Sequence, residues 1–351
     1  MINLNQSEEF HAFDPQQMLA EIDALPDQLE AAWKQGLTLP LAEMPGLRQV
    51  IVTGMGGSAI GADLLAAYAG PVSRIPLYVL REYDLPAWAQ GSETLVIASS
   101  HSGNTEETLS AFLQAQQRGC RTLAVCTGGQ LAGQARAAGA PLWLFEHAGQ
   151  PRAAVGYSFG LLLAAFYRLG GLPDPSQALQ DALTALRIQQ AHLRADVPLK
   201  DNPAKRSAGQ LCGRMVCVMA SNYLAPVARR WKGQVNELAK GWAQFELLPE
   251  ADHNTVAGVL NPEDALSRLM ILFLRAPSDH PRNRMRSDLT RRGFMVEGLN
   301  TDCYDAQGEG PLAHMWTALH FGDYLAYYLA MCCGVDPTPV AAIEDLKQAM
   351  R

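Results

Sequence analysis

Residues 50–65 read VIVTGMGGSAIGADLL: an apolar, β-branched run ends in a small polar residue, passes through a glycine-rich turn and enters a helical stretch. The same rhythm returns at 216–231, VCVMASNYLAPVARRW. A strand that gives way directly to a helix is half of a βαβ unit, since parallel strands need a long crossover. Around the first stretch, further β-rich runs follow the one at RQVIVTG (48–54), namely IPLYVL (75–80), TLVIAS (94–99), RTLAVCT (121–127) and PLWLFE (141–146). Helical stretches lie between them, clearest at 58–69 and 105–118. Short, continuously apolar strands alternating with helices predict a parallel sheet covered on both faces. About five strands are too few for a (β/α)₈ barrel, so a doubly wound, flavodoxin-like α/β domain is expected.

Upstream of this pattern, Asp14-Pro15 predicts a helix start, and Met18, Ile22, Leu25, Leu29 and Trp33 form one apolar stripe. Downstream, a helix over about 153–169 leads to GGLPDPSQ (170–177), the best linker candidate. After a helix over about 176–196, a second strand-helix series runs through RMVCVMAS (214–221), FELLP (245–249), LMILFLRA (269–276) and FMVEGLN (294–300). Helices are expected at 312–333 and 340–350. Two related α/β domains follow, 1–170 with the N-terminal helix and 171–351, as the length of 351 residues also suggests.

Composition narrows the function classes. A formal net charge of −7 argues against a nucleic-acid binder, which wants a basic face, though not against a local anion pocket. The opening MINLNQSEEFHAF has neither a basic n-region nor an apolar h-region, so no signal peptide is expected. No apolar run is long enough to predict a membrane span. Seven cysteines, an odd count without a CxxC pair, predict reduced thiols in a cytoplasmic protein.

Ligands of a parallel sheet collect beyond the carboxyl ends of its strands, where helix N-termini present free N–H groups. Two loops of the first half fall there. One is the glycine loop Gly54–Gly61 and the other is SSHSGNTEET, Ser99–Thr108, with five hydroxyl side chains in ten residues. Glycines admit a ligand to the backbone and hydroxyls donate to anionic oxygens. A plainer reading makes Asn104 and Glu107 a capping box that merely starts a helix. Gly54-x-Gly56-x-x-Ala59 also fits a dinucleotide loop, but the acidic residue such a loop needs, Glu82, arrives late. No Walker lysine follows the glycines.

GMGGSAIGADLL (54–65), SHSGNTEETL (100–109), PRAAVGYSFG (151–160), QVNELAKG (234–241), DHN (252–254) and DPTPVAAIEDLK (336–347) occur in this order. Together they resemble the bifunctional phosphoglucose/phosphomannose isomerases, a branch of the sugar-isomerase (SIS) domain superfamily, from about residue 48 to the end. The resemblance implies two flavodoxin-like SIS domains, an N-terminal one with phosphate-binding loops and a C-terminal one carrying catalytic residues. It also implies a homodimer without metal or cofactor that interconverts glucose 6-phosphate or mannose 6-phosphate with fructose 6-phosphate in the cytoplasm.

Carried over residue by residue, the resemblance makes Gly57, Ser58, Ser100, Ser102 and Thr105 the phosphate-binding positions. It makes Arg152 the cation facing the enediolate, Glu237 the base that moves the proton, His253 the ring-opening histidine and Lys347 a helper at the ring oxygen. The chemistry wants the same types: a carboxylate base, an acid/base for ring opening and a cation near the developing oxyanion. Three positions depart from the family pattern. His101 stands where tyrosine is common and Leu238 replaces a polar residue, both bearing on substrate preference. Asp252 replaces asparagine and is expected to raise the pKa of the following histidine. His314 and His320 are six apart on one helix, the wrong spacing for a metal, and are read as packing or surface residues. The loop Arg275–His280 of the second half has no serine–glycine–threonine set, so one composite site per chain is expected. A non-catalytic phosphosugar sensor is the alternative, disfavoured because a sensor needs none of Arg152, Glu237, His253 and Lys347.

Overall fold

The computed structural model describes residues 3–350. The chain divides into two compact units, Ala24–Gln180 and a second made of the residues through Asp23 with those from Asp181 on. The division cuts the N-terminal apolar stripe. Asp14 accepts the N–H groups of Met18 (2.7 Å) and Leu19 (3.0 Å), starting α1 (Met18–Asp23), whose Met18 and Ile22 are buried. After it, α2 (Leu25–Thr38), with proline in its first turn, buries Leu25, Leu29, Ala32 and Trp33. The N-terminal segment is held to the second unit by Lys205. This buried ammonium donates to the carbonyls of Leu4 (2.7 Å), Ala195 (2.7 Å) and Val197 (2.9 Å), and burial pulls its pKa down to about 8.

The unit Ala24–Gln180 is built of β1 (Gln49–Thr53), α3 (Gly56–Ala69), β2 (Leu77–Leu80), β3 (Thr94–Ser100), α4 (Glu106–Gln117), β4 (Arg121–Cys126), α5 (Gly129–Ala137), β5 (Leu142–Leu144) and α6 (Val155–Arg168). All pairings are parallel and the order is β2-β1-β3-β4-β5, the flavodoxin-like order. Val50, Ile51 and Val52 of β1 and all of β3 are buried, as strands covered on both faces must be. The unit boundary falls within α7 (Ser176–Gln190).

The other unit continues with α8 (Pro203–Leu211), β6 (Met215–Ala220), α9 (Ala225–Glu237), β7 (Ala243–Leu247), α10 (Glu263–Leu266), β8 (Leu269–Arg275), α11 (Pro281–Val296), β9 (Asn300–Asp305), α12 (Gly310–Cys333) and α13 (Ala341–Ala349). Its parallel sheet runs β7-β6-β8-β9, the same order with four strands. The strand expected at 294–300 is not one. Phe294, Met295 and Val296 end α11, where Phe294 is buried while Met295 and Val296 face solvent, a helical rather than a strand pattern. The last strand is NTDCYD instead, an edge strand in which only Tyr304 is buried, hence its polar composition. Every residue of α12 from Leu312 to Cys332 is buried, whereas no residue of α13 is. Among the described residues, no helix is long and apolar enough to cross a membrane.

Candidate functional site

In the first sheet the direction in which successive strands are added reverses between β1 and β3, and the loops that follow these parallel strands flank that point. This is where an open α/β sheet offers a crevice. After β1, α3 begins at Gly56 and puts Ser58 in its first turn. A Cβ on Gly57 would lie 2.6 Å from the carbonyl oxygen of Pro151 and 3.3 Å from Cα of Arg152. Glycine therefore lets the start of α3 abut the turn that carries Arg152.

After β3, the serines and threonine fold on one another. Ser100 Oγ accepts the N–H of Gly103 (3.1 Å) and lies 3.0 Å from Thr105 Oγ1. Ser102, exposed, accepts the N–H of Asn104 (3.2 Å). Ser58 Oγ accepts the main-chain N–H of His101 (3.3 Å), tying the two loops together. Gly103 has φ +65°, and a Cβ there would sit 1.9 Å from the carbonyl oxygen of Gly128, so no other residue fits. The structure thus brings Gly57, Ser58, Ser100, Ser102, Thr105 and Arg152 into one unit, the four hydroxyls within two linked loops.

The capping box does not form. Thr105, not Asn104, occupies the N-cap of α4, and no side chain caps there. Asn104 Oδ1 instead accepts the N–H of Gln130 (3.0 Å), fastening this loop to the start of α5. Long-range attachment wins because Gly103 brings the loop against Gly128 and Gly129.

Arg152 is 6% exposed, in the short 3₁₀ turn Pro151–Ala153, and donates to Gln150 Oε1 (3.3 Å). His147, earlier in the same connection, is a residue that sequence reasoning passes over. Its Nδ1 lies 2.9 Å from Nε2 of His101, with Phe145 stacked on Tyr157 beside the pair. Burial, then the neighbouring His147, pulls the His101 pKa down to about 4. The available signal is positional: His147 follows the fifth strand, at the same edge of the sheet as the hydroxyl loop.

Glu237, His253 and Lys347 belong to the other unit. Glu237 is the half-buried last residue of α9, and Lys240 caps that end by donating to its carbonyl oxygen (2.6 Å). Helix α9 is fixed to α12 by a buried pair. Arg230 meets Asp323 in two bonds, Nε–Oδ1 at 3.0 Å and Nη2–Oδ2 at 2.7 Å, and Gln234 Nε2 donates to Oδ1 at 2.9 Å. Leu238, next to Glu237, is fully buried. His253 is exposed, at the end of the 3₁₀ turn Glu250–His253. Asp252 directs its carboxylate to Arg286 (2.8 Å) and Thr290 (2.7 Å) of α11. Lys347 is exposed on α13.

The histidines of α12 are buried. His314 pairs with Ser278 Oγ (2.8 Å) and His320 with the carbonyl of Ile22 (2.9 Å). Among the described residues, no group of three or more His, Cys, Asp or Glu is placed to hold a metal. In the loop Arg275–His280, Asp279 is 5% exposed and accepts the N–H of Ala276 at Oδ2 (3.0 Å). Burial lifts its carboxyl to about 6, against the opposing pull of that hydrogen bond.

Two parallel sheets of the same strand order, the first with a hydroxyl-lined loop pair, define a protein of two SIS domains. Residues 200–350 match the family described as the bacterial phospho-glucose isomerase C-terminal SIS domain. A bifunctional phosphoglucose/phosphomannose isomerase of Caldicellulosiruptor bescii is 37% identical, covering 95% of this chain and 98% of that one. The bifunctional phosphoglucose/phosphomannose isomerase of Aquifex aeolicus is 31% identical, over 86% and 90%. A crystal structure of a hypothetical protein from Thermus thermophilus has the same fold, with a TM-score of 0.76, 17% identity, and coverage of 99% of this chain and 93% of that one. The chain belongs to the bifunctional phosphoglucose/phosphomannose isomerases.

Proposed function

We propose that this enzyme, a sugar-phosphate isomerase, interconverts glucose 6-phosphate and mannose 6-phosphate with fructose 6-phosphate, through ring opening and proton transfer by a cis-enediolate. Its 37% identity over 95% of the chain with a bifunctional isomerase is the observation that carries this reading. The phosphate is received by Ser58, Ser100, Ser102 and Thr105, with Gly57 letting the turn that carries Arg152 pack against the start of α3; the linked hydroxyls and the N-termini of α3 and α4 support this. Glu237 takes the proton from one carbon and returns it to the next. In ring opening, His253 moves the proton from the anomeric hydroxyl to the ring oxygen, helped at the ring oxygen by Lys347, and Arg152 stabilises the enediolate oxygens. A homodimer that works without a metal and serves glycolysis and gluconeogenesis in the cytoplasm completes the proposal; the seven free cysteines support a reducing compartment. A coupled assay that measures fructose 6-phosphate from each aldose phosphate tests it. Turnover of neither would overturn the reading, and turnover of one alone would narrow it to a single substrate.

A further inference from the structure

The loop that follows β3 is held by bonds within itself and by bonds to the segment after β4. Ser100 reaches Gly103 and Thr105, and Asn104 reaches Gln130. The carbonyl of His101 accepts from both the N–H (3.0 Å) and the hydroxyl (2.7 Å) of Thr127. Across from it, the connection between Leu144 and Val155 must hold Arg152, and it contains no regular element besides the turn Pro151–Ala153. At its start, the N–H of Phe145 donates to the carbonyl of Cys126 (3.2 Å), and near its end Pro151 and Arg152 meet Gly57. Midway, the ring of His147 reaches the ring of His101, which lies between two of the phosphate hydroxyls in sequence.

We infer that His101 and His147 are a positioning pair, whose ring-to-ring hydrogen bond fixes the connection carrying Arg152 against the phosphate loop. The bond needs one imidazole to donate and the other to accept. The depressed pKa of His101 keeps an accepting ring available at neutral pH. Phe145 and Tyr157, 5.2 Å apart and stacked, flank the two rings and limit their alternative rotamers. Neither histidine needs to touch the sugar. Their effect passes through Arg152, so this inference rests on the isomerase reading, in which Arg152 faces the enediolate.

The test uses H147A, H147N and H147F in the full-length protein. Asparagine puts a polar atom where the imidazole has Nδ1, while phenylalanine keeps the ring and loses the bond. Hydrogen exchange should rise over residues 145–154 in H147A and H147F, stay unchanged over 100–109, and return towards the wild-type pattern in H147N. Turnover of glucose 6-phosphate should follow: misplacing an oriented group lowers kcat roughly 10- to 100-fold in H147A and H147F, with KM within about twofold and recovery in H147N. Exchange at 145–154 that ignores H147A would overturn the pairing, as would H147F matching wild type, which would make His147 a packing residue. Raised exchange with unaltered kcat would overturn the link to Arg152. The exchange measurement needs no substrate, so a wild-type protein without isomerase activity would sink the functional reading separately from the pair.

Discussion

Ser102 and Thr105 sit in a tight cluster of small polar groups: Ser102 Oγ accepts the N–H of Asn104 and Thr105 Oγ1 lies 3.0 Å from Ser100 Oγ. A hydrogen bond to a charged group is worth about 1.5–3 kcal/mol. Ser102→Ala and Thr105→Ala should therefore each raise KM for the sugar phosphate by about tenfold or more with thermal stability intact. Wild-type KM in both would reduce the loop to a helix start. Glu237→Gln keeps the shape but cannot accept a proton, so isomerisation and exchange of the substrate proton with deuterated water should both fall at least ~10²-fold. Retained exchange would remove Glu237 from its role. Asp279 makes a prediction about stability. Its folded-state pKa, about 6, lies above the ordinary carboxylate value because of burial, so the protonated form is the one that suits the fold. Its contribution is fully present below about pH 4 and is lost as pH rises through about 6. Between pH 4 and 7 the stability difference between Asp279→Asn and wild type should therefore move in the variant's favour by roughly 2–3 kcal/mol. Denaturation at both pH values measures this, and a difference that does not change with pH would contradict it.

At the scale of elements, α9 carries the proposed base, Glu237, as its last residue. The helix is aimed by the Arg230–Asp323 pair, in which both side chains are 3% exposed, and by Trp231 Nε1 donating to the carbonyl of Ala318 (2.8 Å). Removing one partner of a buried pair strands the other charge, at a cost of about 3–5 kcal/mol. Asp323→Ala should lose stability on that scale in chemical denaturation, well beyond the ~0–1 kcal/mol of a surface pair such as Arg48–Glu93. An equal effect of Glu93→Ala would refute the argument. Glycine plays the matching role in the first sheet, where Gly103 lets the loops after β3 and β4 touch.

For the whole molecule, the proposed chemistry uses a carboxylate, an imidazole and cations, and gives no step to a Lewis acid. Activity should survive exhaustive chelation. Loss that zinc or manganese restores would defeat this mechanism. The strand order repeats, five strands in one unit and four in the other, while the loops that follow the matching strands differ. The first unit has hydroxyls after β3, and the second has a buried carboxylate, Asp279, after β8.

The sequence by itself determined the α/β class, the strands of the first sheet to within a few residues and the hydroxyl loop. Buried parallel strands are unbroken apolar runs, and phosphate-type loops need small residues in a row, so both leave local marks. Other features left none. The polar edge strand β9 lacked the apolar signature, because only one of its residues is buried, and the end of α11 took its place. Asn104 read as a cap from its neighbours, but its partner Gln130 lies beyond a strand and is met only in the folded chain. The apolar stripe through Met18 and Trp33 is continuous in sequence yet shared between two compact units. His147 meets His101 only because parallel strands deliver both to one edge of the sheet, and a contact between distant residues is decided by packing, which no local pattern encodes.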